Sequence, residues 1–154
     1  MCSEFSYSVT TVKGGYVMES QIGIGVFLHS YALPMNEALS RAMEAGFARV
    51  QLWNVEGDHD PRSLTPSRLS ALQSTLRAND MTISALCGHL SFCDPDTAAI
   101  SVLRLNSMVN LATRLEVPIV TTESGSLRTG LDPELAWSTL VESMVLVCSH
   151  AAPL

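Results

Sequence analysis

Two histidines, a tryptophan and a glutamate share one placement along this chain: each stands at or just past the end of a short β-branched run. His29 follows Ile22 to Leu28, Trp53 ends Arg49 to Trp53, His89 ends Met81 to His89, and Glu123 follows Val117 to Thr122. These residue types do compatible chemistry. An imidazole binds a metal or a hydroxyl and exchanges a proton near neutral pH, a carboxylate accepts hydrogen bonds, and an indole can wall a sugar-sized pocket. Their shared position is a stronger signal than any one of them.

His89 is the sharpest candidate. Strand alternation places it on the face of Ile83, Ala85 and Cys87, where it would meet a metal or a substrate hydroxyl; a rim histidine bonded to a loop is the plainer alternative. Cys87, His89 and Cys93 together evoke zinc, but a structural zinc site wants four ligands in paired spacings, which disfavours that trio. Glu123, beside Ser124 and Gly125, either accepts a substrate hydrogen bond or caps a loop. Trp53 either lines a pocket or packs beneath helices. Glu56, Asp58, His59 and Asp60 are rich in oxygen and nitrogen donors, yet they lack the ligand rhythm and turn glycine of a calcium loop and read as a solvated loop. Gly23-Ile24-Gly25 lacks the third glycine and the immediate helix of a dinucleotide fingerprint, and no GxSxG elbow occurs.

The elements that must carry these residues alternate. After each run comes a stretch with apolar residues at helical spacing. Pro34 opens the first, lined by Ala38, Leu39, Ala42 and Met43 and ended by Gly46. Thr65-Pro66 opens the second through Leu69, Leu72 and Leu76 to Asn79-Asp80. Asp94-Pro95-Asp96 starts the third, whose apolar residues from Ile100 to Leu115 spread widely enough to predict burial on more than one side. Asp132-Pro133-Glu134 starts the fourth, with proline at the first helical position and an acid where the helix dipole favours it.

Four strand-helix units predict an α/β fold: a parallel (β/α) half-barrel, with strands in sequential order and helices on one face. A closed (β/α)₈ barrel needs eight units and about 250 residues. This chain has 154 residues, so we expect a truncated barrel spanning residues 21–154, with residues 1–20 a flexible extension rich in Ser, Thr and Gly. Strands one and four would then be open edges, and the apolar inner face would lack an opposite wall. In such a barrel the loops after the strands converge on one face, and there the four candidates belong.

Composition limits what the chain can engage. Charged residues make up 16% and apolar residues 47%, against roughly 25% charged in an ordinary globular chain, and mean hydropathy is +0.24. A net charge of −6 without a basic cluster argues against nucleic acid. No uninterrupted apolar run reaches the ~18 residues needed to cross a bilayer, so no membrane role is expected and the cytoplasm is the default location. The four cysteines show no CxxC spacing and read as reduced thiols.

Three segments carry a family resemblance: Glu44-Ala45-Gly46-Phe47 before Val50-Gln51-Leu52-Trp53, then Ile83-Ser84-Ala85-Leu86-Cys87-Gly88-His89, then Val120-Thr121-Thr122-Glu123-Ser124-Gly125. With the cadence from Ile22 to Val147, the chain resembles the N-terminal half of the sugar phosphate isomerase/epimerase family, which has the xylose isomerase-like TIM barrel. The resemblance implies a sugar or sugar phosphate substrate, a divalent metal (Mn, Mg or Zn), and proton transfer beside a carbonyl. It assigns His89 a substrate- or metal-facing role, whereas Gln51 stands where a strand-two glutamate is frequent. Most family ligands come from strands five to eight. The expectation is therefore a fragment of a metal-dependent isomerase/epimerase, inactive alone and holding no metal tightly. The alternative is a noncatalytic half-barrel for binding or assembly, which associates with itself or with a separate C-terminal half.

Overall fold

The computed structural model describes residues 8–12, 15–19, 24–53 and 64–154. Its first element is an antiparallel hairpin, β1 (Ser8–Val12) with β2 (Gly15–Glu19), in which Val12 pairs with Gly15. The sequence showed no sustained periodicity here, although Val9, Thr10, Thr11 and Val12 are all β-branched, the residue class that suits a pleated ribbon.

The main sheet contains β3 (Val26–Phe27), β4 (Arg49–Trp53), β5 (Thr82–Gly88) and β6 (Val120–Thr122), parallel throughout and in the order β3-β4-β5-β6. Sequential parallel strands joined by right-handed crossovers place every connecting helix on the same face. The half-barrel predicted from the unit cadence is the fold observed. Among the described residues the first strand is short: Val26 and Phe27 pair, and Leu28–Tyr31 turn at once into a 3₁₀ helix. Ile22 lies outside the described residues.

Among the described residues, three of the four α-helices start at a side-chain cap and the first starts after a proline. α1 (Met35–Glu44) follows Pro34, and Gly46 leaves it at φ +81°, a left-handed conformation that glycine adopts without penalty. The Thr65 hydroxyl accepts the Arg68 N–H at 3.3 Å to begin α2 (Pro66–Ala78). Asp94 and Asp132 do the same with the N–H groups of Asp96 (3.0 Å) and Glu134 (3.1 Å), opening α3 (Pro95–Leu115) and α4 (Pro133–Ala151).

The core lies between sheet and helices. Val50, Leu52 and Leu86 point from the strands onto Leu39, Ala42, Leu72, Leu76, Leu105, Met108 and Leu111. Removing each such large side chain from water contributes roughly 1.5 to 3 kcal/mol. α3 packs on β5, β6 and α4, as its broad apolar surface predicted, but Ile100 and Leu103 remain exposed on its outer side. α4 buries Ala136, Ser143 and Val147 and exposes Leu135, Trp137, Val141, Val145 and Leu146.

The phase of β5 changes midway. Val50 pairs with Ile83, but Gln51 pairs with Ala85, so Ser84 is an extra residue in the ladder, and its hydroxyl donates to the Val50 carbonyl at 3.1 Å. Ile83 consequently packs against the core, while Ala85 and Cys87 belong to the opposite face. The regular alternation expected from Ile83 to His89 holds only from Ala85 onward. Nor is the inner face uniformly apolar. There Gln51 Nε2 donates to Thr121 Oγ1 at 3.1 Å, tying β4 to β6 across β5.

Candidate functional site

Adjacent strands deliver the site. Cys87 pairs with Thr121 and Gly88 with Thr122, so the next residues, His89 and Glu123, emerge side by side at the C-terminal edge of the sheet. His89 Nδ1 lies 2.6 Å from Glu123 Oε1, with the two side chains 39% and 58% exposed. The pair is reachable from solvent. An ionised carboxylate only accepts, so this contact favours a proton on the Nδ1 of His89. Such a dyad can take a proton from, or return one to, a substrate hydroxyl while its orientation stays fixed.

Below it, β6 hydroxyls tie the strand ends together. Thr122 Oγ1 donates to the Gly88 carbonyl at 2.9 Å, and Thr121 Oγ1 reaches the Leu86 carbonyl at 3.4 Å while receiving Gln51. Gln51 thus forms a neutral cross-strand link where an acid is frequent.

The loops carrying the dyad are clasped. The Ser124 carbonyl accepts the Phe92 N–H at 3.0 Å and the Cys93 thiol at 3.2 Å. Gly125, at φ +91°, presses against Ser91: a Cβ there would fall 2.7 Å from Ser91 Cα. Ser101, buried on α3, holds the Ser91 carbonyl at 2.7 Å. Arg128 then reaches back to α3, with Nε 3.3 Å from Asp94 Oδ2 and Nη1 3.0 Å from Asp96 Oδ2. Sequence reading identified Asp94 and Asp96 as a helix start and missed this second use. A lone arginine in a loop gave no signal.

The structure joins two of the four candidates, His89 and Glu123. Trp53 ends β4, its backbone paired with Cys87, and its side chain lies outside the described residues. His29 leaves β3 in the 3₁₀ turn, exposed, its ring 6.0 Å from that of Phe27. Two strand spacings, roughly 10 Å, separate β3 from β5. The charged loop with Glu56, Asp58, His59 and Asp60 lies outside the described residues.

The sequence pattern of one family, described as the xylose isomerase-like TIM barrel, matches residues 39–154, well over half of the chain. The chain belongs to that family. No curated protein matches this xylose isomerase-like chain. Among solved structures, a xylose isomerase domain protein from Planctomyces limnophilus is similar at 16% identity and a TM-score of 0.64, over 86% of this chain and 49% of its own. The probable 3-DHS dehydratase AsbF of Bacillus anthracis, involved in petrobactin synthesis, is similar at 14% identity and a TM-score of 0.63, with the same coverage. This xylose isomerase-like chain spans about half the length of each solved relative.

The resemblance to sugar isomerases implied a divalent metal. Among the described residues, no three His, Cys, Asp or Glu side chains converge on a point that could hold an ion. Cys93 is buried and turned to the Ser124 carbonyl, which leaves no zinc trio with Cys87 and His89. The Glu123 carboxylate is turned onto His89. The donors among the described residues do not by themselves fit a metal's full coordination shell. No described helix is long and apolar enough to cross a membrane.

Proposed function

We propose that this half-barrel binds a small polyhydroxylated molecule, a sugar or sugar phosphate, at the His89–Glu123 dyad, and that it supplies the substrate-facing histidine of an isomerase/epimerase-type site. The observation that supports the reading is the 2.6 Å contact between two polar side chains at the C-terminal ends of neighbouring parallel strands, the edge where barrel enzymes carry their chemistry. His89 engages a hydroxyl through its basic nitrogen, and Glu123 holds the ring and stabilises the positive charge that proton uptake creates. Moving a proton beside a carbonyl also needs an electrophile and a second acid or base. The described residues contribute one dyad, and in this reading the remaining groups come from outside them.

A second reading, a noncatalytic module for assembly, is favoured by the exposed Trp137, Val141 and Val145 on α4.

The test is a titration of the chain with a panel of aldoses, ketoses and their phosphates, followed through amide NMR shifts. Ligand-dependent shifts at residues 88–90 and 122–125 that disappear in His89→Ala support the binding reading. Shifts absent from both segments across the panel refute it.

A further inference from the structure

The two loops that present the dyad are tied to each other more heavily than the dyad's own contact requires. The β6–α4 loop has no regular hydrogen-bond ladder beyond Thr122, yet within six residues it makes three separate attachments to the β5–α3 loop and the first turn of α3. Ser124 offers its carbonyl to two donors, Phe92 N–H and Cys93 Sγ–H. Gly125 closes onto Ser91, with room for nothing larger than hydrogen. Arg128 spans both carboxylates of the Asp94-Pro95-Asp96 turn.

The energetic character of these ties differs. Arg128 and Asp96 are 56% and 72% exposed, and pairs so open to water contribute roughly 0 to 1 kcal/mol to folding. Stability is therefore a poor reason for the arginine. Its geometry offers a better one. The planar guanidinium reaches two carboxylates at once, fixing direction as well as distance, and Asp94, at 15% exposure, is already immobilised as the cap of α3. Through that anchor the segment from Glu123 to Arg128 is held at both ends: by the Thr122–Gly88 hydroxyl bond before it and by the guanidinium after it.

We infer that Arg128 and Gly125 are positioning residues for the dyad: the Gly125–Ser91 seat and the Arg128–Asp94/Asp96 latch aim the Glu123 carboxylate at His89 Nδ1 and so select the imidazole tautomer. The inference rests on the reading of this dyad as substrate-facing. Without the latch, the loop slides on Ser91, Glu123 swings into solvent, and the Nδ1–H tautomer loses the carboxylate that favours it.

The tautomer is directly measurable. Imidazole nitrogen NMR of the full chain, with ¹⁵N-labelled histidine at an alkaline pH where the ring is neutral, distinguishes Nδ1–H from Nε2–H at His89 without any ligand. Failure here leaves the substrate titration untouched, and failure there leaves this measurement intact. Glu123→Gln supplies the reference for a dyad without its carboxylate. We expect Arg128→Ala and Gly125→Ala each to lower the Nδ1–H to Nε2–H ratio about tenfold, the effect of losing one charge-assisted hydrogen bond. Arg128→Lys, able to meet one carboxylate, should recover part of that ratio. Arg128→Ala should melt within a few degrees of the parent, because an exposed pair adds little stability. A wild-type ring without preference for Nδ1–H overturns the inference, as does a ratio unchanged in Arg128→Ala. If Gly125→Ala fails to fold, Arg128→Ala and the exposed-partner variant Asp96→Asn decide the matter.

Discussion

His89 and Glu123 meet because each is one residue beyond the last paired position of its strand, Gly88 opposite Thr122. Register brings the two residues within reach of each other. Replacing Glu123 with Gln keeps the shape and removes the charge. We expect this to weaken sugar or sugar phosphate binding by roughly 1 to 2 kcal/mol, about tenfold, as hydrogen bonds to charged groups do. Unfolding stability should hardly move, since both side chains are substantially exposed. Ligand titration beside urea denaturation checks both halves; a large stability loss would make the pair structural.

Neighbouring positions on β5 should respond oppositely. Leu86 is fully buried among the helices, so Leu86→Ala should cost about 2 to 5 kcal/mol through lost transfer energy and a residual cavity. Cys87, half-buried on the inner face, should tolerate Ala with a loss of about 1 kcal/mol or less. Urea midpoints distinguish the two, and equal losses would mean that the faces are wrongly assigned.

Glu116 ends α3 at φ +57°, a left-handed conformation that costs an L-residue about 1 to 2 kcal/mol. It is exposed and bears no burial role. Glu116→Gly should raise stability by about 1 kcal/mol, after the glycine's own greater unfolded-state entropy is subtracted. A lower thermal midpoint for the variant would contradict this.

Divalent cations should bind the isolated chain weakly. Among the described residues the site offers one histidine and one carboxylate committed to it, which leave most of a coordination shell to water. Calorimetric titration with Mn²⁺ or Zn²⁺ should give no stoichiometric high-affinity step. Tight binding lost in both His89→Ala and Cys87→Ala would restore the zinc reading.

Trp137, Val141 and Val145 recur every four residues on α4, on the opposite side from His150, which contacts Asn110 of α3. A contiguous apolar stripe of this kind promotes association. Light scattering after size exclusion should show mass rising with concentration, and Trp137→Glu should reduce it. A monodisperse wild-type monomer throughout the range would count against self-assembly.

Much of the architecture was legible because local signals agreed with one another. Asp94-Pro95 and Asp132-Pro133 combine a capping side chain with a proline at the first helical position, and both helices begin there. His89 and Glu123 were legible from their places at strand ends. Their mutual contact was not, since it depends on the β5–β6 register. Ile83 was placed on the wrong face because a bulge inserts Ser84 without any glycine or proline to mark it. The Arg128 latch was hidden for a related reason: its partners lie 32 and 34 residues earlier, beyond any periodicity.

The separation of Val50, Leu52 and Leu86 from Gln51, Cys87 and Thr121 has an evolutionary consequence. Alternate residues along the same strands then answer to different demands, the helix-facing ones to folding and, under the proposed function, the inner ones to the ligand. A library randomised at Gln51, Cys87 and Thr121 could explore new specificities while most members still fold. The same diversity introduced at Val50, Leu52 and Leu86 would be spent on chains that never reach a native state.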